Sequence, residues 1–320
     1  MNKQNKKILL IDGYHMLYKG YYGSLKRKKQ SLNRDGLLIN SIYVFVANFV
    51  KLVKSKNYHT IIVALDVGKS CWRKDLYPQY KEKRKETPEE LIPQMEILRS
   101  FLSSAKIPWY EKEANEGDDV LGTIARIATK LKYDVEIISN DKDIYQLISK
   151  NVTVASQKSK KDKNEVIGVE QVIETMGVEP LQIPDLKSLM GDVSDNIIKV
   201  KGLHKHVAIS LLKQYGTVEN ILENVDKLND KTKEKIIAAK DQIIMNKKIT
   251  TIKTDLDLGW INFRPLKINY IGLMGFLKKQ KMFSFINMIE EEYKLQLEWR
   301  KKKYEILNIV KEENNKKTKE

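Results

Sequence analysis

The sequence predicts an α/β fold in which a mostly parallel central sheet is flanked by helices. Three short apolar runs, each ending in aspartate, have the composition of buried parallel strands: KILLID (7–12), TIIVALD (60–66) and VEIISND (135–141). Helical patterns separate these runs, and strands that alternate with helices are typical of a parallel sheet. From about residue 168 the strand pattern gives way to short segments punctuated by glycine and proline, which predict a smaller helical region.

Three segments between these strands predict helices. Residues 38–54 carry a continuous helical pattern. Residues 87–90 (TPEE) form a capping box with proline at the first helical position, and we expect them to open a helix that extends to about residue 104. Asn115 is expected to cap a third helix, whose apolar face recurs from residue 120 to residue 131.

The charge of the chain indicates an anionic partner. Among 320 residues, 58 lysines and arginines outnumber 42 aspartates and glutamates, which gives a formal net charge of +16. A nucleic acid fits this balance, and the plain alternative is that the excess lysines keep the protein soluble. No apolar stretch approaches the ~20 residues that span a bilayer, so we expect no membrane partner. The N-terminal apolar run stops at Asp12 and the chain has a single cysteine, Cys71, which together predict a cytoplasmic protein.

Crowded carboxylates provide the main chemical signal. Nine acidic side chains follow predicted strands or begin predicted helices: Asp12, Asp66, Glu116, Asp118, Asp119, Asp141, Asp143, Asp192 and Asp195. Taken one motif at a time, they can simply complement a helix dipole or form a turn. Taken together, they can converge where the carboxyl ends of parallel strands meet. Carboxylate oxygens suit hard cations such as Mg²⁺ or Mn²⁺, and two such ions would support in-line attack on a phosphodiester.

Other catalytic chemistries find little support in the sequence. The four histidines, at positions 15, 59, 204 and 206, do not belong to a serine or cysteine elbow motif, and no cysteine–histidine cluster indicates zinc. The sequence contains no Walker A motif, which argues against ATP chemistry.

A basic and aromatic segment follows the second predicted strand. Its members are Lys69, Trp72, Arg73, Lys74, Tyr77, Tyr80, Lys81, Lys83, Arg84 and Lys85. Basic side chains bind phosphates and aromatic rings stack on bases, so this mixture favours single-stranded or frayed nucleic acid; the alternative is a solvated loop. The runs SLKRKKQ (24–30) and KSKKDK (158–163) are interpreted as solvated loops. Residues 200–216 are interpreted as a turn and a helix that present backbone N–H groups to a phosphate.

Five stretches, in this order, resemble the 5′ nuclease family, which includes the 5′→3′ exonuclease domain of bacterial DNA polymerase I, phage 5′ exonucleases and the flap endonucleases. They are LLIDGYHMLYK, VALDVGKSCWRKDLYPQYKEKRKETPEEL, NEGDDVLGTIA, SNDKDIYQLI and LMGDVSDNIIKVKG, and they cover roughly residues 7–255. The resemblance implies a PIN-like or resolvase-like α/β domain over residues 1–180, with a helical arch at about residues 70–105. It also implies a helix–three-turn–helix region over residues 181–265 and a helical extension with a frayed basic tail over residues 266–320.

The resemblance also implies roles for individual residues. The ligands of a first metal ion would be Asp12, Asp66, Glu116, Asp118 and Asp119, and those of a second would be Asp141, Asp143, Asp192 and Asp195. Lys81 and Arg84 match arch residues that steer the scissile phosphate, which implies a catalytic role. Contacts to DNA would come from Lys19, Arg73, Tyr80, Lys83, Lys201, Gly202 and Lys205.

The chain departs from the family pattern in the helix–three-turn–helix region. Relatives typically read G-I-G-x-K-T-A where this chain has GLHKHVA, so His204 replaces the second glycine and His206 and Val207 replace lysine and threonine. Glycine permits a close approach of backbone to phosphate, and the change therefore weakens the expectation of duplex anchoring and of a K⁺ ion there. The segment DNIIKV lacks the usual proline and glycine, and Lys19 stands where relatives carry arginine, which loses bidentate phosphate recognition.

The function implied by the resemblance is that of a Mg²⁺-dependent 5′→3′ exonuclease and flap endonuclease, with two-metal hydrolysis and Mn²⁺ as a substitute. We expect a stand-alone monomer that acts on DNA with 5′ ends, flaps or nicks, and on RNA primers, in replication and repair. Three alternatives are a PIN-like ribonuclease, a catalytically weak structure-specific DNA-binding relative and a general basic scaffold protein. A comparison of DNA and RNA cleavage tests the ribonuclease. Whether bound flaps are cut tests the DNA-binding relative, and whether the protein prefers junctions over plain duplex at raised salt tests the scaffold protein.

Overall fold

The computed structural model describes residues 6–25, 31–55, 58–68, 71–156 and 165–317. Over these ranges six strands form one sheet: β1 (Lys7–Asp12), β2 (Thr60–Ala64), β3 (Trp109–Tyr110), β4 (Asp134–Ile138), β5 (Val152–Ser156) and β6 (Glu165–Ile167). All five residues of β2 are buried, as are all but the first residue of β1 and of β4. Burial on both faces is typical of central strands in a parallel sheet.

The order of strands in the sheet is β3-β2-β1-β4-β5-β6. Neighbouring strands are parallel except for β5 and β6, which are antiparallel. Ile11 of β1 pairs with Val63 of β2 and with Ile138 of β4, so the three central strands end almost level. The residues that follow them therefore emerge at one edge of the sheet, where the ligand sites of open α/β sheets form.

Thirteen α-helices lie in the described part of the chain. The first five are α1 (Gly13–Ser24), α2 (Asn40–Ser55), α3 (Trp72–Leu76), α4 (Ile92–Ala105) and α5 (Gly117–Lys130). The next six are α6 (Val169–Met176), α7 (Ile183–Met190), α8 (Lys205–Tyr215), α9 (Val218–Glu223), α10 (Asp230–Ala238) and α11 (Lys240–Thr250). The last two are α12 (Tyr270–Lys279) and α13 (Ile286–Lys317). Short 3₁₀ helices occupy Glu89–Leu91, Lys142–Leu147, Pro180–Gln182, Val225–Lys227 and Phe283–Phe285.

The first of two compact units comprises residues 1–16, 58–88 and 108–266 and contains the whole sheet. Its main core is built from apolar side chains of the sheet and of α5, continued by those of α7 and α8. Ile124 of α5 and Leu212 of α8 are fully buried in this core. The unit thus joins the α/β layer and the helical region into one packed body.

The second unit comprises residues 17–57, 89–107 and 267–320. Its core contains a group of phenylalanines, in which the ring of Phe101 lies 5.2–5.9 Å from three others: Phe45, Phe49 and Phe276. Edge-to-face pairs of this kind add to the stability gained from burying the rings.

The three predicted strands are confirmed; β1 ends at Asp12 as predicted, and the other two end earlier than their apolar runs suggest. β2 ends at Ala64 and β4 at Ile138, so Asp66 and Asp141 belong to the connections that leave the sheet. The helix predicted over residues 38–54 is also confirmed, as α2. The mixed α/β fold with a helical C-terminal region follows the prediction.

Two predicted helix starts are displaced along the chain. The capping box at residues 87–90 leads into a 3₁₀ turn, and the α-helix begins only at Ile92, where Pro93 occupies the first turn. Proline fits there because its position needs no backbone N–H. The helix predicted to be capped by Asn115 begins one residue later than expected, with Glu116 at the N-cap.

The helical arch predicted over about residues 70–105 differs from the structure. Within the described residues 71–88 only α3 is α-helical, and residues 78–84 form turns. Pro78 explains the early end, because the residue before a proline disfavours helical geometry. Residues 89–105, the second half of the predicted arch, belong to the second unit as the 3₁₀ turn and α4.

The C-terminal segment is helical further than predicted, since α13 continues through residues 311–317 where we expected a frayed tail. The basic run 158–163 and most of the run 24–30 lie outside the described residues, as does Lys69. Among the helices that the structure describes, none is both long enough and apolar enough to cross a bilayer.

Candidate metal centre

Four predicted ligands lie where the central strands end and where α5 begins: Asp12, Asp66, Asp118 and Asp141. The carboxylate of Asp12, the last residue of β1, accepts a hydrogen bond from the backbone N–H of His15 at 2.9 Å. Asp66, two residues beyond β2, accepts a hydrogen bond from the backbone N–H of Gly117 at 2.8 Å. This second bond attaches the N-terminus of α5 to the end of β2.

Gly117 permits this close approach of the helix to the strand end. A Cβ atom at this position would lie 3.2 Å from a carboxylate oxygen of Asp66, which is tighter than an ordinary contact. Without a side chain there, the first turn of α5 carries Asp118 close to the strand-end carboxylates. The motif GDD therefore combines a small residue for packing with an acid for the site.

Burial and mutual repulsion raise the pKa values of carboxylates in the first group. Burial, together with the nearby charges of Asp66 and Asp141, raises the pKa of Asp12 from 3.8 to about 8. Burial and the charges of Asp141 and Asp12 raise the pKa of Asp118 well above its ordinary value. Burial also raises the pKa of Asp66, and the charge of Glu116 adds to that rise. These shifts favour the protonated forms of the group, and a bound cation would favour the ionised forms.

A second group forms where β4 and α7 end. One carboxylate oxygen from each of Asp143, Asp192 and Asp195 lies within 4.8 Å of the others. The side chain of Asp141 accepts the backbone N–H of Asp143 at 2.9 Å, which places the two acids at the start of one 3₁₀ turn. The chain reverses after Gly191, with backbone hydrogen bonds between Asp192 and Ile197, and brings Asp195 back toward Asp143.

Lys187 of α7 lies between two acids of this second group. Its ammonium group binds the carboxylates of Asp143 and Asp192, the latter at 2.5 Å. Burial raises the pKa of Asp143 to about 6, although the charge of Lys187 opposes that rise. Hydrogen bonds and charge from Lys187 hold the pKa of Asp192 below its ordinary value despite burial. Lys187 is thus a built-in counter-ion of the second group.

The predicted catalytic residues contact the same carboxylates from the segment that follows α3. The Lys81 ammonium group lies 2.5 Å from Glu116, and the Arg84 guanidinium group lies 2.7 Å from Asp195. The Tyr80 hydroxyl donates to Glu116 at 3.0 Å or to Asp195 at 3.2 Å. Both basic groups therefore reach the carboxylates that we predicted to bind metal.

The segment is fixed in place by more than its charges. The Tyr77 hydroxyl donates to the carbonyl oxygen of Asn196 at 3.1 Å, and the Asn196 amide donates to the carbonyl oxygen of Gln79 at 2.9 Å. A small apolar cluster lies beneath the segment and contains Cys71, Tyr80, Ile197 and Ile249. Tyr80, predicted to stack on bases, is 3 % exposed and is inside the protein in this structure.

Asp119, predicted as a metal ligand, binds an arginine instead. The guanidinium of Arg73 makes two hydrogen bonds to its carboxylate, at 2.7 and 2.8 Å, and also donates to the carbonyl oxygen of Ile249. Burial opposes ionisation of Asp119, but the hydrogen bonds and charge of Arg73 lower its pKa below the ordinary value. Asp119 is fully buried on the face of α5 that turns away from Asp118, because consecutive helical residues point ~100° apart.

Arg73 also differs from its predicted role as a contact to DNA. The side chain is buried, and its guanidinium is used by Asp119, by Glu116 at 3.1 Å and by backbone carbonyls. In this structure it presents no donor to a phosphate. The pair of Arg73 and Asp119 instead joins α3 to α5 and to the end of α11.

The other predicted contacts to DNA are on the surface. Lys83, Lys201, Gly202 and Lys205 are exposed residues of the first unit, and Lys19 is an exposed residue of α1 in the second unit. Gly202 has φ +71°, and its carbonyl oxygen accepts a hydrogen bond from Lys235 at 2.8 Å. His204 caps α8 and its ring stacks on that of His206, with centroids 5.7 Å apart.

The residues present fit divalent cations. Both groups offer only oxygen donors, which suit Mg²⁺ and Mn²⁺. Burial and the charges of Asp66 and Asp141 raise the pKa of Asp12, and a cation bound there would offset both effects. The first group offers Asp12, Asp66, Glu116 and Asp118, and the second offers Asp143, Asp192 and Asp195. Asp141 is shared, since its charge acts on Asp12 and Asp118 and its side chain accepts the backbone N–H of Asp143. Of the nine predicted ligands, Asp119 is the one whose two carboxylate oxygens both accept hydrogen bonds from the buried Arg73.

Lys187 is the main site residue that the sequence analysis missed. It lies in α7, where its neighbours Leu186 and Leu189 are buried, and five residues before Asp192. A lysine between buried leucines, a few residues before one of the predicted ligands, is a signal that could have identified Lys187. The partner of Asp119 had no such signal, since Arg73 is 46 positions away in the sequence.

A parallel sheet whose strand ends gather carboxylates, with basic side chains against them, defines a class of α/β proteins whose acids could hold divalent cations. Within that class, the chain belongs to the 5′-3′ exonuclease family, whose members are hydrolytic nucleases. Residues 7–177 match the 5′-3′ exonuclease N-terminal resolvase-like domain, and residues 178–271 match the 5′-3′ exonuclease C-terminal SAM fold.

The similar proteins include bacterial DNA polymerases. DNA polymerase I of Bacillus subtilis is 36% identical over 285 residues, which cover 88% of this chain and 31% of that protein. DNA polymerase I of Geobacillus stearothermophilus is 38% identical over 251 residues, or 78% of this chain and 28% of that protein. The chain thus spans about a third of the length of these relatives.

Solved structures with the same fold include nucleases. The T5 5′-exonuclease with bound zinc ions superposes with a TM-score of 0.63 at 25% identity, covering 78% of this chain and 90% of that one. The flap endonuclease of bacteriophage T5 in complex with DNA and metal ions has a TM-score of 0.61 at 22% identity and covers 89% of this chain and 100% of that one. The catalytic core of Rad2 with DNA substrate has a TM-score of 0.56 at 15% identity, covering 86% of this chain and 88% of that one.

Proposed function

We propose that the protein is a Mg²⁺-dependent 5′→3′ exonuclease and structure-specific flap endonuclease that acts on DNA. The observation that carries this proposal is the set of acids at the edge of the sheet in a chain of the 5′-3′ exonuclease family. One oxygen from each of Asp143, Asp192 and Asp195 lies within 4.8 Å of the others, and the charges of Asp66 and Asp141 act on the buried Asp12. Two ions of Mg²⁺ or Mn²⁺ fit the oxygen donors, one at each group. Bound there, divalent cations would supply a nucleophile at neutral pH and stabilise the negative charge of an in-line displacement at phosphorus.

The side chains of the protein itself hold and orient the phosphate in this proposal. Lys81 and Arg84 already lie against Glu116 and Asp195, so a phosphodiester bound beside these acids would be within reach of both cations. Arginine suits this role because its fork of N–H groups matches two phosphate oxygens. Lys187 limits the repulsion within the second group by its contacts to Asp143 and Asp192.

We propose DNA with 5′ ends, flaps or nicks, together with RNA primers on DNA, as the substrates in replication and repair. The net charge of +16 supports a polyanionic substrate. The T5 flap endonuclease and Rad2 structures contain DNA, which supports the same choice. Lys19, Lys83, Lys201, Gly202 and Lys205 are the exposed residues we propose to contact it.

The proposal extends to how the protein works in the cell. We propose a monomer in the cytoplasm, in keeping with its single cysteine. A K⁺ ion at residues 200–208 is not included, because His204 occupies the place of a glycine that would let backbone approach phosphate.

The test is cleavage of a 5′-labelled flap with Mg²⁺ by the wild type, by Asp118→Ala and by the matched control Asp35→Ala, which removes an exposed acid of the second unit. We expect the wild type and Asp35→Ala to cut near the junction, and Asp118→Ala to lose at least ~100-fold in rate, because a metal-bound transition state loses several kcal/mol without its ligand. Equal cleavage by Asp118→Ala overturns the proposal. Binding without cleavage by the wild type supports the DNA-binding alternative, and cleavage of RNA alone supports the ribonuclease.

A further inference from the structure

We propose that the second unit contains a phosphate-binding cleft that takes the sugar–phosphate backbone of a nucleic acid, separate from the metal centre of the first unit. The cleft has a volume of about 260 Å³ and is lined by the basic residues Lys106, Lys267 and Arg300. It depends on the proposed function only in the choice of nucleic acid as the source of the phosphates. The matched family models end at residue 271, and α13, one wall of the cleft, lies beyond them.

Three elements of the second unit build the cleft. Asn269 joins the segment before α12 to the end of α4, since its backbone N–H donates to Ala105 at 2.9 Å and its side chain donates to Ser104 at 3.1 Å. Gly272 allows this contact, because a Cβ atom there would lie 2.3 Å from the carbonyl oxygen of Ser104. Lys106, directly after α4, and Lys267 are thereby held near one another.

The third element is α13. Tyr293, Gln296 and Arg300 line the cleft from this helix, at spacings of three and four residues that place them on one face. The ring of Tyr293 packs against Tyr270, with centroids 5.8 Å apart, and so attaches α13 to the start of α12. Arg300 therefore projects from a wall that is fixed to the rest of the cleft.

The charged residues that line the cleft are all basic. All three basic residues are exposed, and none of them forms an ion pair with any carboxylate in the described part of the chain. The lining contains no acid. Glu292, whose charge acts on Tyr270, is buried and does not line the cleft. Three unpaired cations around one concave surface attract an anion with several oxygens, for which arginine and lysine are the usual ligands.

The surroundings favour a polymer over a single phosphate. Three further basic residues, Lys301, Lys302 and Lys303, follow Arg300 along α13 and are exposed. The ammonium of Lys303 lies 5.1 Å from the centre of the Trp299 ring, which is exposed and directly precedes Arg300 in α13. An aromatic surface on which a base can stack is therefore one residue from the lining of the cleft. A chain of phosphates could contact the cleft and this basic turn together.

The experiment measures affinity for a fluorescent DNA duplex with a 5′ overhang by anisotropy, in EDTA and at several salt concentrations. The cleft variant is Lys106→Gln/Lys267→Gln/Arg300→Gln. The control variant, Lys51→Gln/Lys278→Gln/Lys279→Gln, removes the same charge from other exposed positions of the same unit. We expect the cleft variant to bind ~10-fold more weakly at low salt, with a log–log salt dependence shallower by ~0.9 for each phosphate that the variant no longer neutralises. The control is expected to stay close to the wild type.

A charge-preserving variant, Lys106→Arg/Lys267→Arg/Arg300→Lys, separates charge from folding. We expect it to retain affinity and to melt with the wild type. Inorganic phosphate and a polyglutamate peptide are tested as competitors, and both are expected to displace duplex only at far higher concentrations than unlabelled DNA does.

Equal affinities of the cleft and control variants overturn the inference, as does competition by inorganic phosphate or polyglutamate that matches unlabelled DNA. Because EDTA prevents metal-dependent cleavage, this result is independent of the proposed nuclease activity. An inactive protein that binds duplex through the cleft contradicts only the proposed function, and an active enzyme with equal affinities contradicts only the cleft.

Discussion

Asp118 and Asp119 show how two adjacent acids acquire unrelated roles. Burial and the neighbouring carboxylates raise the pKa of Asp118, whereas Asp119 is fully buried against Arg73, which lowers its pKa against the effect of burial. A buried ion pair of this kind contributes specificity of geometry more than net stability, but removing one partner leaves the other charge without compensation. The pair therefore holds α3 and α5 in a fixed position relative to each other.

We expect Arg73→Gln to lower the free energy of unfolding by ~3–5 kcal/mol, because the Asp119 carboxylate would remain buried without its counter-ion. Urea denaturation of the metal-free protein measures this change. Lys74→Gln is the matched control, since Lys74 is the exposed neighbour of Arg73 in α3 and its loss should change stability little. Equal stability of the two variants would show that Asp119 does not depend on Arg73.

The raised pKa of Asp12 predicts a stability that depends on pH. The folded protein keeps a proton on Asp12 up to about pH 8, whereas the unfolded chain releases it near pH 3.8. Between these values the unfolded state binds fewer protons, so metal-free protein loses stability as pH rises. The loss between pH 3.8 and pH 8 is at most ~6 kcal/mol, and coupling spreads it over the whole group.

We expect Asp12→Asn to reduce this dependence and to leave the part that comes from Asp66 and Asp118. Thermal unfolding in EDTA at pH 5 and pH 8 should show a large drop in Tm for the wild type and a smaller one for Asp12→Asn. Asp35→Asn, which changes an exposed acid, serves as the control and should follow the wild type. A drop as large in Asp12→Asn as in the wild type contradicts the assignment of the proton to this residue.

At the scale of elements, the reversal after α7 is what brings the second carboxylate group together. Gly191 has φ +66°, and a Cβ atom there would lie 2.4 Å from the carbonyl oxygen of Ile197. Both the conformation and the space therefore require glycine. The turn holds Asp192 and Asp195 on one side, opposite Asp143.

We expect Gly191→Ala to destabilise the protein and to abolish Mn²⁺ binding at the second group. A positive φ costs an alanine ~1–2 kcal/mol, and the clash with backbone adds ~1–3 kcal/mol. Gly259→Ala is the control, because Gly259 has φ +64° with open space around its Cβ position and should show only the first cost. Thermal unfolding and titration followed by Mn²⁺ electron paramagnetic resonance measure both effects, and equal results for the two variants would exclude the clash.

Elements with a local signal were predictable. The apolar runs of β1, β2 and β4 identified the central strands, and the helical pattern before β2 identified α2. The segment after β2 was not predictable in the same way, because its conformation is set by carboxylates far along the chain. Arg84 contacts Asp195 across 111 positions, and no periodicity encodes such a contact.

At the scale of the whole molecule, the net charge is positive while one edge of the sheet is acidic. The chain carries a net charge of +16, yet eight acids of the first unit gather at one edge of its sheet. Their convergence was predictable because parallel strands end at a shared edge. Their division into two groups was implied only by the resemblance to the 5′ nuclease family, because residue patterns alone do not give the reversal after α7 that brings Asp195 back toward Asp143. Basic surfaces are thus available to gather phosphates while the acids remain concentrated in one place.

Cys71 provides a way to measure movement of the segment that follows α3. It is the single cysteine of the chain, it is buried, and it packs in the cluster that underlies the segment bearing Lys81 and Arg84. A thiol reagent can modify the protein only when that cluster opens. The labelling rate therefore measures how often the segment moves away from Cys71. We expect Lys81→Gln/Arg84→Gln, which removes both carboxylate contacts, to label several times faster than the exposed-site control Lys83→Gln/Lys85→Gln. Equal rates would mean that the apolar contacts alone keep the segment closed.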